Sequence, residues 1–387
     1  MKVLAFADYY LPGFRAGGPI RTISGMVRRL PERIQFSIVT RDRDCGDHRA
    51  YAGVKVGEWN DVGRARVLYL RNRDLNLAGL VRLVRVEKPD VLYANSLFSR
   101  ITLRLLAARR IGCLGSVPLV LAPRGEFSAG ALKLKPRRKA AYLALGRRAG
   151  LFRTVLWQAS SEVEGSDILR ILGGGHEVRV SRDISDVSDV FEAEERTNHA
   201  KRSGAVRFVF LSRVSPMKNL RAAIEVVSGI SGNVSLDIFG PADEPRYLQE
   251  CKAATEKVQS NVKVTWHGEV APPDVTKTIA GFDFFILPTL GENFGHVILE
   301  SLSAGCPVLI SDRTLWNRIE ADGAGWTIPL EDQRRWNEVL RQCVEMGESE
   351  HNSMRERARL AARECLCDQA VIQQNVALFD EAVARRQ

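Results

Sequence analysis

Phe282-Asp283-Phe284-Phe285-Ile286-Leu287-Pro288-Thr289-Leu290-Gly291-Glu292-Asn293-Phe294-Gly295-His296-Val297-Ile298-Leu299-Glu300 carries most of the information in this 387-residue chain. The first six residues form a short β-prone run. Gly291 and Gly295 then allow a tight turn close to a ligand, and a helix is expected to open near Phe294, with Ile298 and Leu302 giving it an inward face. A strand, a glycine loop and a helix start together make a site for anions, because the first helical amides lack acceptors and the dipole favours negative charge. Glu292 in the loop and Glu300 in the helix add two carboxylates. Each can accept hydrogen bonds from paired hydroxyls, so the segment suits a ligand with an anionic middle and hydroxyl-bearing ends. The plainer reading of the two acids is helix capping and a surface charge.

The pattern around it repeats that unit. Strands are expected at residues 2–7, 35–39, 66–70, 91–94, 119–122, 154–158 and 177–180, with helices between many of them, such as 97–110 and 136–149. Residues 183–205 break the pattern, and strands resume at 207–211, 234–239, 262–266, 282–287 and 308–311 before a helical tail of about 50 residues. Strands alternating with helices predict parallel sheets covered on both faces. We therefore expect an α/β chain with a first domain at 1–190, a linker at 191–205, a second domain at 206–367 and a closing helix at 368–387. Two such domains facing each other would make a central cleft, with ligands beyond the carboxyl ends of the strands.

A second motif follows the first strand of the second domain: Leu211-Ser212-Arg213-Val214-Ser215-Pro216-Met217-Lys218-Asn219. Arg213 and Lys218 flank a turn and suit a diphosphate, Arg as a fork and Lys as a point charge.

Together these motifs resemble glycosyltransferase family 4: two Glu separated by seven residues in a Gly-Glu-Asn-Phe-Gly loop, an Arg and a Lys five apart, and Ser-Ala-Gly-Cys-Pro-Val at 303–308. The first domain is similar to a bacterial exopolysaccharide and lipopolysaccharide subgroup. It carries Tyr-Leu-Pro-Gly-Phe-Arg-Ala-Gly-Gly-Pro at 10–19, Thr-Arg-Asp-Arg-Asp at 40–44, Tyr-Ala-Asn-Ser at 93–96 and Ala-Pro-Arg-Gly-Glu-Phe at 122–127. The resemblance implies a GT-B fold, with two Rossmann-like domains and a C-terminal helix, Gln369–Ala384, crossing back to the first. It implies a retaining, metal-independent transfer of a hexose-type sugar from a UDP-, GDP- or similar nucleotide-sugar to a lipid-linked or polysaccharide acceptor. By the same resemblance, Glu300 binds the ribose hydroxyls, Glu292 faces the sugar, and Asn293, Phe294 and Gly295 hold sugar hydroxyls through the backbone. Val297 lies beside ribose and phosphates. Arg213 and Lys218 neutralise the leaving diphosphate, and Gly17 and Gly18 approach it from the first domain. Two positions depart from the wider family: Arg124-Gly125 stands where many members have His-Gly, and Ser181-Arg182-Asp183-Ile184 where many have Asn-Gly-Val-Asp. The alternatives are another GT-B enzyme, such as a sugar phosphorylase or nucleotide-sugar epimerase, and a non-catalytic membrane-associated scaffold.

Charge is uneven. Residues 1–190 hold 33 Lys and Arg against 18 Asp and Glu, net +15, whereas residues 191–387 hold 23 against 28, net −5. Residues 127–161 contain no acid, and the segment 133–153 carries Lys133, Lys135, Arg137, Arg138, Lys139, Arg147, Arg148 and Arg153 among leucines. This reads as an anionic-membrane contact or a solvated basic face. No nucleic-acid motif accompanies it. No run of about 20 apolar residues and no leader pattern is present, so the expectation is a cytoplasmic protein, peripheral at the inner face of the plasma membrane. Seven scattered cysteines, with Cys365 and Cys367 the only close pair, do not suggest a disulfide framework or a zinc site.

Four features stay open. Asp42-Arg43-Asp44 imitates a metal-binding Asp-x-Asp, and could equally be an acceptor-side loop or a solvated one. His296 packs in the first helical turn or approaches the phosphates, and His267 caps a strand or approaches the base. Glu126 contacts the acceptor or pairs with Arg124.

Overall fold

The structure, a computed structural model, describes residues 1–133, 136–185, 200–242 and 244–385. It divides into two compact units, Met1–Asp186 with Gln369–Gln387, and Val187–Asp368. Residues 191–199 of the expected linker lie outside the described residues.

The first unit is built on eight strands: β1 (Lys2–Phe6), β2 (Gln35–Arg41), β3 (Trp59–Val62), β4 (Ala65–Leu70), β5 (Val91–Asn95), β6 (Leu119–Ala122), β7 (Val155–Ala159) and β8 (Glu177–Val180). Their order is β3-β4-β2-β1-β5-β6-β7-β8, parallel except for β3 against β4. Between them run α1 (Gly18–Arg29), α2 (Leu77–Glu87), α3 (Arg100–Arg110), α4 (Ala129–Lys133), α5 (Pro136–Arg148) and α6 (Glu162–Leu172). β5, β6 and β7 are buried along their whole length, as strands covered on both faces must be. One core face includes Ile23, Met26, Ile38 and Tyr93, and the other Leu92, Leu105, Leu121 and Trp157. β3 was not expected. Trp-Asn-Asp-Val has no apolar run, and it pairs only at the sheet edge, where a polar strand is tolerated.

The second unit has six parallel strands, β9 (Ala205–Leu211), β10 (Asn233–Phe239), β11 (Val262–Gly268), β12 (Phe284–Leu287), β13 (Val308–Ser311) and β14 (Gly325–Ile328), in the order β11-β10-β9-β12-β13-β14. Its helices are α7 (Leu220–Ser228), α8 (Pro245–Thr255), α9 (Val275–Ala280), α10 (His296–Ser303), α11 (Gln333–Glu345) and α12 (Glu348–Cys367). β14 also escaped the sequence reading. It is four residues long and opens on Gly325 at φ 148°, where a Cβ would fall 2.0 Å from the Val308 carbonyl oxygen on β13. α13 (Gln369–Ala384) returns to the first unit. Its buried Phe379 stands edge-on to Phe36 and Tyr93 at 5.8 and 5.5 Å.

Strand order reverses between β1 and β5 in the first sheet and between β9 and β12 in the second. These are the switch points at which an open parallel sheet binds ligands.

Candidate active site

In the second unit, both motifs leave the carboxyl ends of the switch-point strands. β9 feeds the loop carrying Arg213 and Lys218, and its neighbour β12 feeds the loop of Glu292. The loops are joined directly. The Leu290 amide and the Thr289 hydroxyl both donate to the Met217 carbonyl, at 2.8 and 2.9 Å. Asn219 takes a left-handed conformation, φ 56°, so α7 starts one residue later than expected. Lys218 and Glu292 form an ion pair through Nζ and Oε2, with 13% and 15% of their side-chain surfaces exposed. Arg213 is exposed on the same loop, and the Val214 amide after it is held by the Pro241 carbonyl at 2.7 Å.

α10 begins at His296, two residues after the expected start, because Gly295 at φ 84° and ψ 57° ends the loop in a left-handed turn. The amides at the start of such a helix have no acceptor one turn earlier. Asn293 Nδ2 is buried without a hydrogen-bond partner. Glu300 is buried, 7% exposed, on α10, while Ile298 and Leu302 face the core as expected. The two loops and the helix that follows thus carry an unsatisfied buried amide, a buried carboxylate and a paired Lys and Glu, group types that suit hydroxyls and phosphate. His296 stacks at a tilt against Phe294, 4.7 Å between centroids. His267 lies flat on Phe239 at 4.3 Å and its Nε2 meets Asp237 Oδ1 at 2.6 Å. Sequence reasoning missed Trp316, whose indole N–H donates to the Phe294 carbonyl at 2.7 Å. The indole was visible in the sequence, but nothing local tied it to a loop 22 residues away.

In the first unit, Gly17 caps α1 at φ 68° and Gly18 begins it, after the loop that leaves β1 at that sheet's switch point. Asp44 braces this loop. Its carboxylate accepts from the amides of Phe14 (2.8 Å), Arg15 (3.2 Å) and Cys45 (2.7 Å). Asp42 is buried beside Arg43 and accepts from its guanidinium at 2.8 Å. The Asp-x-Asp is thus a folded support and not a solvated loop. Among the described residues, no group of three or more His, Cys, Asp and Glu is placed to hold a metal ion.

Arg124 is turned inward. It pairs with Asp183 and donates to Tyr93 Oη and to Asn95 Oδ1, the last at 3.0 Å. Burial works against the guanidinium charge, but Asp183 and Tyr93 outweigh it and the net shift is upward. Glu126 does not bind Arg124. It accepts from Ser96 Oγ at 2.6 Å and from the amides of Leu97 and Phe98, at 2.5 and 3.3 Å. Burial raises its carboxyl to about 7 against those bonds. Gln158 extends the Arg124 network to α13: it accepts from Tyr93 Oη at 2.6 Å and reaches Asn375 Oδ1 at 3.5 Å.

α5 presents Arg137, Arg138, Arg147 and Arg148 to solvent together with Leu145, which is 68% exposed. Leu134 and Lys135 of the basic segment lie outside the described residues. Among the described residues no helix is long and apolar enough to cross a membrane.

Residues 17–181 match the Glycosyl transferase 4-like domain, and residues 191–361 match Glycosyl transferases group 1. The alpha-monoglucosyldiacylglycerol synthase of Streptococcus pneumoniae is 21% identical over 83% of this chain and 74% of its own. The phosphatidyl-myo-inositol mannosyltransferase of Mycobacterium leprae is 25% identical over 48% of this chain and 46% of its own. Among solved structures, Anabaena HepE in complex with UDP and glucose superposes with a TM-score of 0.67 at 16% identity, covering 98% of this chain and 100% of that one. WaaG, a glycosyltransferase of lipopolysaccharide biosynthesis, gives 0.65 at 18% identity over 98% of both. These superpositions establish a shared GT-B fold.

Proposed function

From the premise that this chain belongs to the GT-B glycosyltransferases, with a 4-like first domain and a group 1 second domain, we propose that it is a retaining hexosyltransferase acting on a lipid-linked or polysaccharide acceptor. Glycosyltransferases of this fold move sugar from a nucleotide diphosphate-sugar to an acceptor, and the finer reading concerns how this chain would do so. The observation that carries it is the pairing of Lys218 with Glu292 across two loops tied together at the β9/β12 switch point.

Arg213, Lys218 and the start of α10 take the diphosphate. Glu300 takes the ribose hydroxyls, and Val297 lies beside the ribose and phosphates. Glu292 and the backbone at Asn293, Phe294 and Gly295 take the sugar. The Gly17–Gly18 backbone is the first unit's proposed phosphate contact. In the reaction the bond from the anomeric carbon to the phosphate oxygen breaks, and its electron pair leaves with the diphosphate. Fixed cations and helix amides stabilise that growing charge without reorganising, so no metal is required. The acceptor oxygen bonds to the anomeric carbon on the face the phosphate leaves, and its proton passes to a phosphate oxygen. Lys218 would release Glu292 to the sugar as the phosphate arrives.

The two curated relatives are named for lipids, one for a glucosyldiacylglycerol and one for a phosphatidylinositol, and the exposed arginines and Leu145 of α5 suit an anionic bilayer surface. We propose that this face brings the enzyme to its acceptor at the inner leaflet. The chemical test is an NMR assignment of the product formed from UDP-, GDP- or ADP-sugars with membrane lipid extracts. Retention of the donor's anomeric configuration supports the mechanism, and inversion would overturn it. Flotation with anionic liposomes at low salt tests the surface, and absence of binding there removes it.

A further inference from the structure

We infer that Trp316 is a positioning residue for the donor site, holding the glycine turn from which α10 starts; the inference rests on the donor-site reading above. The last residue of β13 and the segment after it tie the loop after β12 at three successive points. Ser311 Oγ donates to the Thr289 carbonyl at 2.6 Å, the Glu292 amide donates to the Arg313 carbonyl at 2.9 Å, and Trp316 Nε1 donates to the Phe294 carbonyl at 2.7 Å. Only the third tie reaches the turn itself. A Cβ on Gly295 would lie 3.2 Å from Trp316 Nε1, 3.1 Å from Glu292 Cγ and 2.8 Å from Ile298 Cδ1. The turn is therefore boxed between the indole, the Glu292 side chain and the helix it begins. The indole also stands edge-on to Phe294, with centroids 6.2 Å apart.

Trp316 is itself fixed from below. Thr327 Oγ1 on β14 donates to its carbonyl at 3.2 Å, and its own amide donates to Thr314 Oγ1 at 3.3 Å. Sheet geometry thus passes from β14 through the indole to the peptide between Phe294 and Gly295. Helix amides stabilise an anion only if they already point at it before the ligand arrives. The Phe294 carbonyl, once released, can turn to other partners, and the following amides turn with it. Trp316 acts through the peptide it holds.

Trp316→Phe keeps most of the aromatic packing and removes the N–H. Affinity for UDP, GDP and ADP is measured by calorimetry on the full chain, alongside thermal melting and hydrogen exchange. The expected result is melting within a few degrees of wild type, about tenfold weaker binding of whichever nucleoside diphosphate the wild type binds, and faster exchange confined to residues 293–299. A purely structural role would loosen the second unit broadly. If Trp316→Phe does not fold, Thr327→Ala, which removes one anchor of the Trp316 backbone, should weaken the same binding about twofold. Unchanged affinity and exchange in a folded variant would overturn the inference. A wild type that binds none of the three would overturn the donor-site reading, and this inference with it.

Discussion

Replacing Arg124 with alanine removes the positive member of a buried network and leaves its partners behind. Arg124 and Asp183 retain 8% and 5% of their side-chain surface, so water cannot easily take the place of either. The variant would leave the Asp183 carboxylate without its cation and the Asn95 carbonyl oxygen without the Arg124 donor, and would take one donor from the Tyr93 hydroxyl, which keeps its bond to Gln158. Deleting one member of a buried ion pair costs about 3–5 kcal/mol, which for a unit of this size lowers its melting temperature by roughly 6–20 °C. The loss should depend on pH. Burial raises the Asp183 carboxyl and Arg124 pulls it back down. Without Arg124 the carboxyl rises further, and a group raised above its unfolded value contributes stability at low pH that disappears as pH increases. The deficit should therefore be larger at pH 8 than at pH 5, and Arg124→Ala combined with Asp183→Asn should recover part of it. Scanning calorimetry that separates the transitions of the two units is the assay. A deficit below about 1 kcal/mol, unchanged by Asp183→Asn, would refute the reasoning.

Glu126 should impose its own pH dependence. Its carboxyl is raised from 4.5 to about 7, so its contribution is complete below the lower value and lost as pH climbs through the upper one, by at most roughly 3 kcal/mol. Glu126→Gln should flatten stability over that window, and a melting series from pH 4.5 to 8 that is parallel for both proteins would argue otherwise. Phe379→Ala should cost the first unit about 3–5 kcal/mol, since α13 completes that unit's core; calorimetry should show the second unit's transition unmoved. Gly240→Ala would drive a Cβ to 1.9 Å from the Ser212 carbonyl at φ 129°. We expect a loss of about 3 kcal/mol or more together with weaker nucleotide binding, because the displaced segment leads into Arg213; a variant as stable as wild type would contradict this.

The donor loop was legible because its logic is local. The β12 run, the glycines and the α10 face lie within 20 consecutive residues, and each residue type has a reason to be there. Lys218 and Glu292, 74 residues apart, could be related in advance only through a family resemblance. The first unit was harder to read. The sequence offered Arg124 a partner two residues away, Glu126, whereas its carboxylate is Asp183, 59 residues on, which had been read as part of a polar stretch that breaks the pattern. Asp44 looked like half of a metal motif, whereas its three backbone partners lie partly in a loop some 30 residues earlier. Short edge strands were missed for a related reason. The identity of β14 rests on Gly325 lying against β13, and no hydropathy pattern records that contact.

Calorimetric titration of the full chain with UDP-, GDP- and ADP-sugars in EDTA tests the central claim directly. At least one donor should bind saturably at a single site. Lys218→Met should weaken it by about ten- to a hundredfold, the loss of one charge-assisted contact, and Glu300→Gln should weaken it as well. Binding that is absent from the whole panel, or that survives both substitutions unchanged, would mean that the β9 and β12 loops do not hold a nucleotide-sugar.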